Sequence, residues 1–130
     1  MSFQRIFSGA PWEEIIGYCR VLRAGNLVFV TGTAPMDPDG TVHAPGDPLA
    51  QARRCLALIE ESLGKLGLGM DSVVRTRMFT TDIDRWEHYG EAHREAFGKH
   101  PPTTTLVEVS RLIHSDMLIE IEADAVVMEE

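Results

Sequence analysis

Cysteine is scarce in this chain. Two residues, Cys19 and Cys55, in 130 are too few for a disulfide scaffold. Both sit in apolar contexts and are expected to be reduced core or interface residues, with Cys19 a packing residue and not a nucleophile and the cytosol as the compartment. Positive charge is scarce as well. Twelve Lys and Arg against 20 Asp and Glu give a formal net charge of −8, and no basic cluster is longer than Arg53-Arg54. A nucleic-acid binder must replace phosphate counterions with its own cations, so nucleic acid is not an expected partner. Long apolar runs are missing, so no bilayer span and no membrane partner are expected. The opening MSFQRIFSGAPWEE has no long hydrophobic stretch and carries acids early, unlike a signal peptide. Metal-ligand spacing is also absent. His88 and His93 are five apart, off the spacing that brings two imidazoles to one ion, and no Cys/His pair has zinc spacing. No metal and no cofactor are therefore expected. Gly67-Leu-Gly69 reads as a helix stop, and no phosphate loop or nucleophile elbow occurs.

What remains is an ordinary globular composition, 44% hydrophobic and 25% charged, in a single domain spanning 1–130 that can fold without staples. Phe3 to Phe7, Gly17 to Arg23 and Leu27 to Gly32 read as strands, the last two joined by a hairpin turn at Ala24-Gly25-Asn26. Leu27 to Val30 is apolar on both faces, as in a central strand. The Pro/Gly-rich segment Ala34 to Pro48 reads as a long loop with a tight turn at Asp39-Gly40. Asp47-Pro48 opens a helix whose stripe is Leu49, Ala52, Leu56, Ile59 and Leu63. Val73 to Thr80 reads as a strand. Asp84 with Glu87 resembles a capping box before a helix to about Lys99, with Trp86, Tyr89, His93 and Phe97 along one side. Thr104 to Leu112 and Met117 to Val127 are expected to form a last hairpin around Ile113 to Asp116. The predicted order is β-β-β-α-β-α-β-β, an α+β mixed sheet with two helices on one face.

The last strand alternates cleanly. Met117, Ile119, Ile121, Ala123, Ala125 and Val127 point one way, under the helices; Leu118, Glu120, Glu122, Asp124 and Val126 point the other. Three carboxylates in one row repel unless they are compensated. Arg75 and Arg77 alternate together on the preceding strand and can do so. A solvated face and an assembly surface that reserves one acid for chemistry both fit this pattern.

Val107-Glu-Val-Ser-Arg-Leu112 followed by Ile119-Glu-Ile-Glu-Ala123, with Gly17-Tyr18, Ala24-Gly25-Asn26, Val30-Thr31-Gly32, the Gln51-Ala-Arg53 helix and Phe79-Thr-Thr-Asp82, resembles the RidA/YjgF family nearly end to end. This is the enamine/imine deaminase, formerly L-PSP endoribonuclease, family. The resemblance implies a chorismate-mutase-like fold and a homotrimer with sheets inward and helices outward. It also implies three inter-subunit clefts in which active members hydrolyse imines or enamines to ketoacids and ammonia. By that resemblance Glu120 is the carboxylate that positions or activates water, and Tyr18 and Thr31 line the cleft. Where deaminase-competent members carry an arginine that clamps the substrate carboxylate, this chain has Thr104, within Thr103-Thr104-Thr105. The loop Gly98-Lys-His-Pro-Pro102 is shorter than in typical members. Arg20, Arg111 and Arg75 are candidate replacement cations, each also explicable by pairing with an acid. Trp12 is either a lid on the sheet edge or an aromatic wall of the cleft.

Three functions follow. One is a hydrolase of a small imine, enamine or related carbonyl compound, with Glu120 on the water and Thr31, Thr104, Thr103, Tyr18, Trp12 and Arg20 around the substrate. A second is a trimer that binds a small molecule without turnover. The third, ribonuclease activity, is disfavoured by the acidic charge and the lack of a basic groove.

Overall fold

The computed structural model describes residues 2–128; Met1, Glu129 and Glu130 lie outside the described residues. Six strands, β1 (Phe3–Ile6), β2 (Val21–Ala24), β3 (Leu27–Thr33), β4 (Val73–Thr80), β5 (Thr103–Glu108) and β6 (Ile119–Val126), form one sheet in the order β1-β2-β3-β6-β4-β5. All neighbours are antiparallel except β4 and β5. Helices α2 (Pro48–Gly64) and α3 (Trp86–Phe97) pack against each other, and α2 packs on β3 and β6. A short helix, α1 (Pro11–Ile16), precedes β2.

Local chemistry explains the elements that were expected. The Asp47 carboxylate accepts a hydrogen bond from the Ala50 N–H at 3.0 Å, capping α2 with Pro48 in its first turn. The α2 stripe buries Ala52, Leu56, Ile59 and Leu63 on the inner face of β6, where Ile119, Ile121, Ala123 and Ala125 are also buried. Gly25 supplies the positive φ of +64° in the two-residue turn between β2 and β3. The Asp39-Gly40 turn forms, with Gly40 at φ +86° and its N–H bonded to the Asp37 carbonyl.

Four expectations are corrected. Residues 11–16 are helical, so the described residues hold three α-helices and not two; a six-residue helix starting at a proline leaves no readable periodicity. Gly17, at φ +91°, ends α1 in the left-handed region, and β2 therefore begins at Val21 and not at Gly17. The expected hairpin of the last two strands does not form. β5 pairs in parallel with β4 at the sheet edge, and β6 inserts between β3 and β4. That central slot buries the whole inner face of β6 and brings arginines against its acids. The Asp84–Glu87 capping box is also absent: Ile83–Arg85 is a 3₁₀ turn, the cap of α3 has no side-chain hydrogen bond, and Trp86 is 57% exposed. β3 is central in the sheet order, yet Leu27 and Phe29 stay exposed on its outer face.

Buried polar groups tie the long β5–β6 connection to the core. Gln51 is fully buried. Its Nε2 donates to the Asp116 carbonyl at 2.8 Å, and its Oε1 accepts from the Leu118 N–H at 2.8 Å. The Thr80 hydroxyl donates to the Leu118 carbonyl at 2.7 Å. Replacing Gln51 by Leu leaves the Leu118 N–H and the Asp116 carbonyl without their partner, each costing about 1–3 kcal/mol. Gln51→Leu is expected to destabilise the chain by roughly 2–4 kcal/mol in chemical denaturation, whereas substitution of the exposed neighbour Arg53 changes stability little.

Candidate functional site

A cavity of ≈ 620 Å³ opens where α1, the end of β3, one side of α2 and the β5–β6 connection converge. Its floor is β3 at Thr31-Gly32-Thr33 with Glu120 of β6 beside it; Trp12 and Ile16 of α1 form one wall, with Tyr18 and Arg20 behind them. Leu58, Glu61, Ser62 and Lys65 come from α2, and Arg111, Leu112, Ile113 and Met117 from the connection that Gln51 holds.

Glu120 is held there by register. Along β4 and β6, Arg75 is opposite Asp124 and Arg77 opposite Glu122, but Phe79 is opposite Glu120. Arg75 reaches Asp124 at 2.7 Å and Arg77 reaches Glu122 at 2.8 Å, so the expected compensation serves two acids of the row. Among the described residues the Glu120 carboxylate has no ion pair and no hydrogen-bond partner. It rests over Gly32: a Cβ built on that glycine would lie 2.5 Å from Glu120 Oε2. Burial, then the Glu122 charge, raise the Glu120 pKa above its ordinary value, and the charge of Arg20 opposes them without cancelling them.

Arg20 is fixed by several contacts. Its backbone N–H donates to the Ile6 carbonyl and its carbonyl accepts from the Thr31 N–H. Its Nη1 donates to Thr33 Oγ1 at 3.2 Å, and its Nε lies 3.9 Å from Glu13 Oε2. Glu13 is itself buried. Burial alone would raise its pKa, but hydrogen bonds from the Ser8 hydroxyl, the Ser8 N–H and the Gly9 N–H, together with the Arg20 charge, hold it below its ordinary value. Glu13 therefore joins three pieces: the 8–10 segment, α1 and Arg20.

Of the residues singled out in the sequence, Trp12, Tyr18, Arg20, Thr31 and Glu120 line this one cavity. Thr103 and Thr104 do not. They lie on edge strand β5, where the Thr103 hydroxyl donates to the Val74 carbonyl at 3.1 Å. The Thr104 hydroxyl meets that of Thr76 at 2.7 Å, and Thr76 Oγ1 is 2.8 Å from Nε2 of His93, whose pKa burial lowers. Where an arginine was expected to reach a substrate, this chain puts a hydroxyl bonded toward α3. Cys19 is half-buried and borders a second hollow, on the open face of the sheet beside Phe29, Arg77 and Glu122. That hollow shares Tyr18, Thr31 and Gly32 with the first. Cys55 is fully buried and its thiol pKa is pushed up, chiefly by burial, so it is inert packing. Sequence reasoning missed Glu13, Gly32, Lys65 and the α2 face at Leu58, Glu61 and Ser62. The spacing of that face on a helix already predicted was a usable signal; the burial of Glu13 had none.

The chain matches the family model described as Endoribonuclease L-PSP over residues 9–127 and belongs to that family, the RidA/YjgF family. It is 33% identical to a RutC family protein of Pyrococcus abyssi over 96% of this chain and 98% of that one. Among solved structures, Rv2704 of Mycobacterium tuberculosis, a member of the YjgF/YER057c/UK114 family, superposes with TM-score 0.87 at 45% identity, covering 97% of this chain and 100% of that chain. The YjgF gene product of E. coli superposes with TM-score 0.76 at 34% identity, covering 85% and 89%. The fold is the chorismate-mutase-like α+β fold of these relatives.

A carboxyl whose pKa is raised in the folded state favours folding while it is protonated and loses that contribution as pH rises through the folded value. Glu120→Gln is therefore expected to melt higher than the parent at pH 7, with the difference vanishing below the ordinary carboxylate range. A thermal melt series across pH checks this; a lower melting temperature at pH 7 would mean that Glu120 has a stabilising partner.

Proposed function

We propose that the chain assembles as a cytosolic homotrimer through the open face of its sheet, binds a small metabolite in the clefts that result, and hydrolyses an imine or enamine there with water held by Glu120. The observation that carries the reading is the Glu120 carboxylate, unpaired among the described residues and raised in pKa, at the wall of a largely apolar cavity. Such a group is a strong candidate for acid–base work. Support for assembly comes from the open sheet face, where exposed Leu27, Phe29 and Val107 flank the Arg75–Asp124 and Arg77–Glu122 pairs, an apolar and charged mixture suited to a partner surface. The cavity borders that face through Tyr18 and Gly32, so a neighbouring chain would complete its wall.

In the proposed reaction Glu120 takes a proton from water as the water oxygen bonds to the imine carbon and the C=N electrons move to nitrogen. Glu120 returns that proton to nitrogen, giving the neutral carbinolamine, which then collapses: its hydroxyl proton passes through Glu120 to nitrogen as the C–N bond breaks and C=O forms. One water is consumed and one ammonia released. Thr31 and Tyr18 orient the substrate, Trp12 covers it, and Arg20 faces it. Thr103 and Thr104 belong to this site only through an adjacent subunit. The engaged Thr104 hydroxyl favours a second reading, in which the trimer binds its ligand without turnover. The acidic surface weighs against ribonuclease activity despite the family's name.

Ammonia release from 2-aminoacrylate and from bulkier imines generated in situ separates the two readings. General acid–base catalysis contributes about 10²–10⁴-fold, so Glu120→Gln should lose at least about 100-fold; ammonia release that survives this substitution rejects the role of Glu120. Activity needs the carboxylate form, so the acid limb of the pH profile should lie above the ordinary glutamate range. Arg20→Gln should move it further up, because the Arg20 charge lowers the Glu120 pKa. Sedimentation equilibrium should give three times the 14.5 kDa chain, and a lone chain at micromolar concentration contradicts the assembly.

A further inference from the structure

We infer that Arg20 is the anion anchor of the cavity, positioned by Glu13 and Thr33, and that the ligand it holds is a monocarboxylate with a bulky apolar body. The inference rests on the reading of this cavity as a ligand site and names the ligand class.

Three cations line the cavity: Arg20, Lys65 and Arg111. Lys65 and Arg111 are exposed and would lose side-chain entropy on gripping a ligand. Arg20 is already immobilised, its side chain 16% exposed, by Thr33 at 3.2 Å and Glu13 at 3.9 Å. Among the described residues its Nη2 has no hydrogen-bond partner. A guanidinium ordered before binding holds a carboxylate with little further loss of freedom. Thr33 cannot move away, because it is buried and its hydroxyl donates to the Thr31 carbonyl at 2.8 Å. Glu13 steadies the Nε side while three hydrogen bonds fix its own carboxylate.

The remaining wall describes the rest of the ligand. Trp12, Ile16, Leu58, Leu112, Ile113 and Met117 surround a volume of ≈ 620 Å³, in the range of pockets that enclose ring-sized molecules. A two- or three-carbon acid would leave most of that surface untouched. Glu120 and Glu61, on the same cavity, would repel a second anionic group, which selects a monoanion. The anchor thus lies beside β3, whereas the Thr104 position on β5 is taken up by Thr76 and His93.

The test uses tryptophan fluorescence of the full chain carrying Trp86→Phe, which leaves Trp12 as the only tryptophan of the two. Phenylacetate, acetate and phenylacetamide are titrated in turn. Phenylacetate should bind more tightly than phenylacetamide by on the order of 10- to 100-fold, the value of a charge-assisted pair, and more tightly than acetate by at least about tenfold. Arg20→Gln should abolish the preference for carboxylate over amide, and Glu13→Gln should reduce it. Thr33→Val, which leaves every charge in place, should reduce that preference about three- to tenfold. Arg111→Gln and Lys65→Gln should keep it. A full preference in Arg20→Gln, or its loss in Arg111→Gln or Lys65→Gln, overturns the assignment to Arg20. Equal binding of phenylacetamide and phenylacetate overturns the anion anchor but leaves the cavity a ligand site; equal binding of acetate overturns the apolar body. If no probe perturbs Trp12, both this inference and the reading of the cavity fail.

Discussion

The pairing of β4 with β6 decides what becomes of three carboxylates in a row. Arg75 meets Asp124, Arg77 meets Glu122, and Phe79 meets Glu120. A shift of one residue would turn the acids into the core and the isoleucines into solvent, so burial of the β6 inner face locks this register. Two acids are thereby neutralised in place, and the third is left with a raised pKa against the one residue, Gly32, that has no side chain to displace it. The placement of this carboxylate is a by-product of packing on the opposite face of its own strand.

Around that group the chain spends its irregular segments. α1, the 17–20 link and the β5–β6 connection each lack long-range regular structure, yet each is tied down by a buried polar residue: Glu13 for the first two, Gln51 for the third. Buried polar groups of this kind are costly unless every partner is met. Their satisfaction lets loops form a defined wall.

What the sequence made legible was whatever repeats at a short period. The alternation of β6, the stripe of α2, the Asp47 cap and the Arg75/Arg77 compensation all follow from spacings of two, three or four. The slot of β6 between β3 and β4 was not legible, since strand order is set by non-local pairing and a short loop suggested a hairpin. Nor was α1, six residues long with a proline at its start. In the site, Tyr18, Thr31 and Glu120 were suggested by family resemblance, Arg20 by its spacing of two from Tyr18, and Trp12 by its place before the first hairpin. The inward commitment of Thr104 depended on Thr76 and His93, 28 and 11 residues away in the chain, and the holding of Arg20 depended on an acid whose burial no pattern announces.

The most direct test of this account is the titration of the Glu120 carboxyl itself. Carboxyl carbon shifts of ¹³C-labelled protein, assigned by comparison with Glu120→Gln, report its protonation residue by residue. The account predicts a midpoint above the ordinary glutamate value. A Glu120 midpoint at or below the ordinary value would show that the carboxylate has a partner, and the central claim would be wrong.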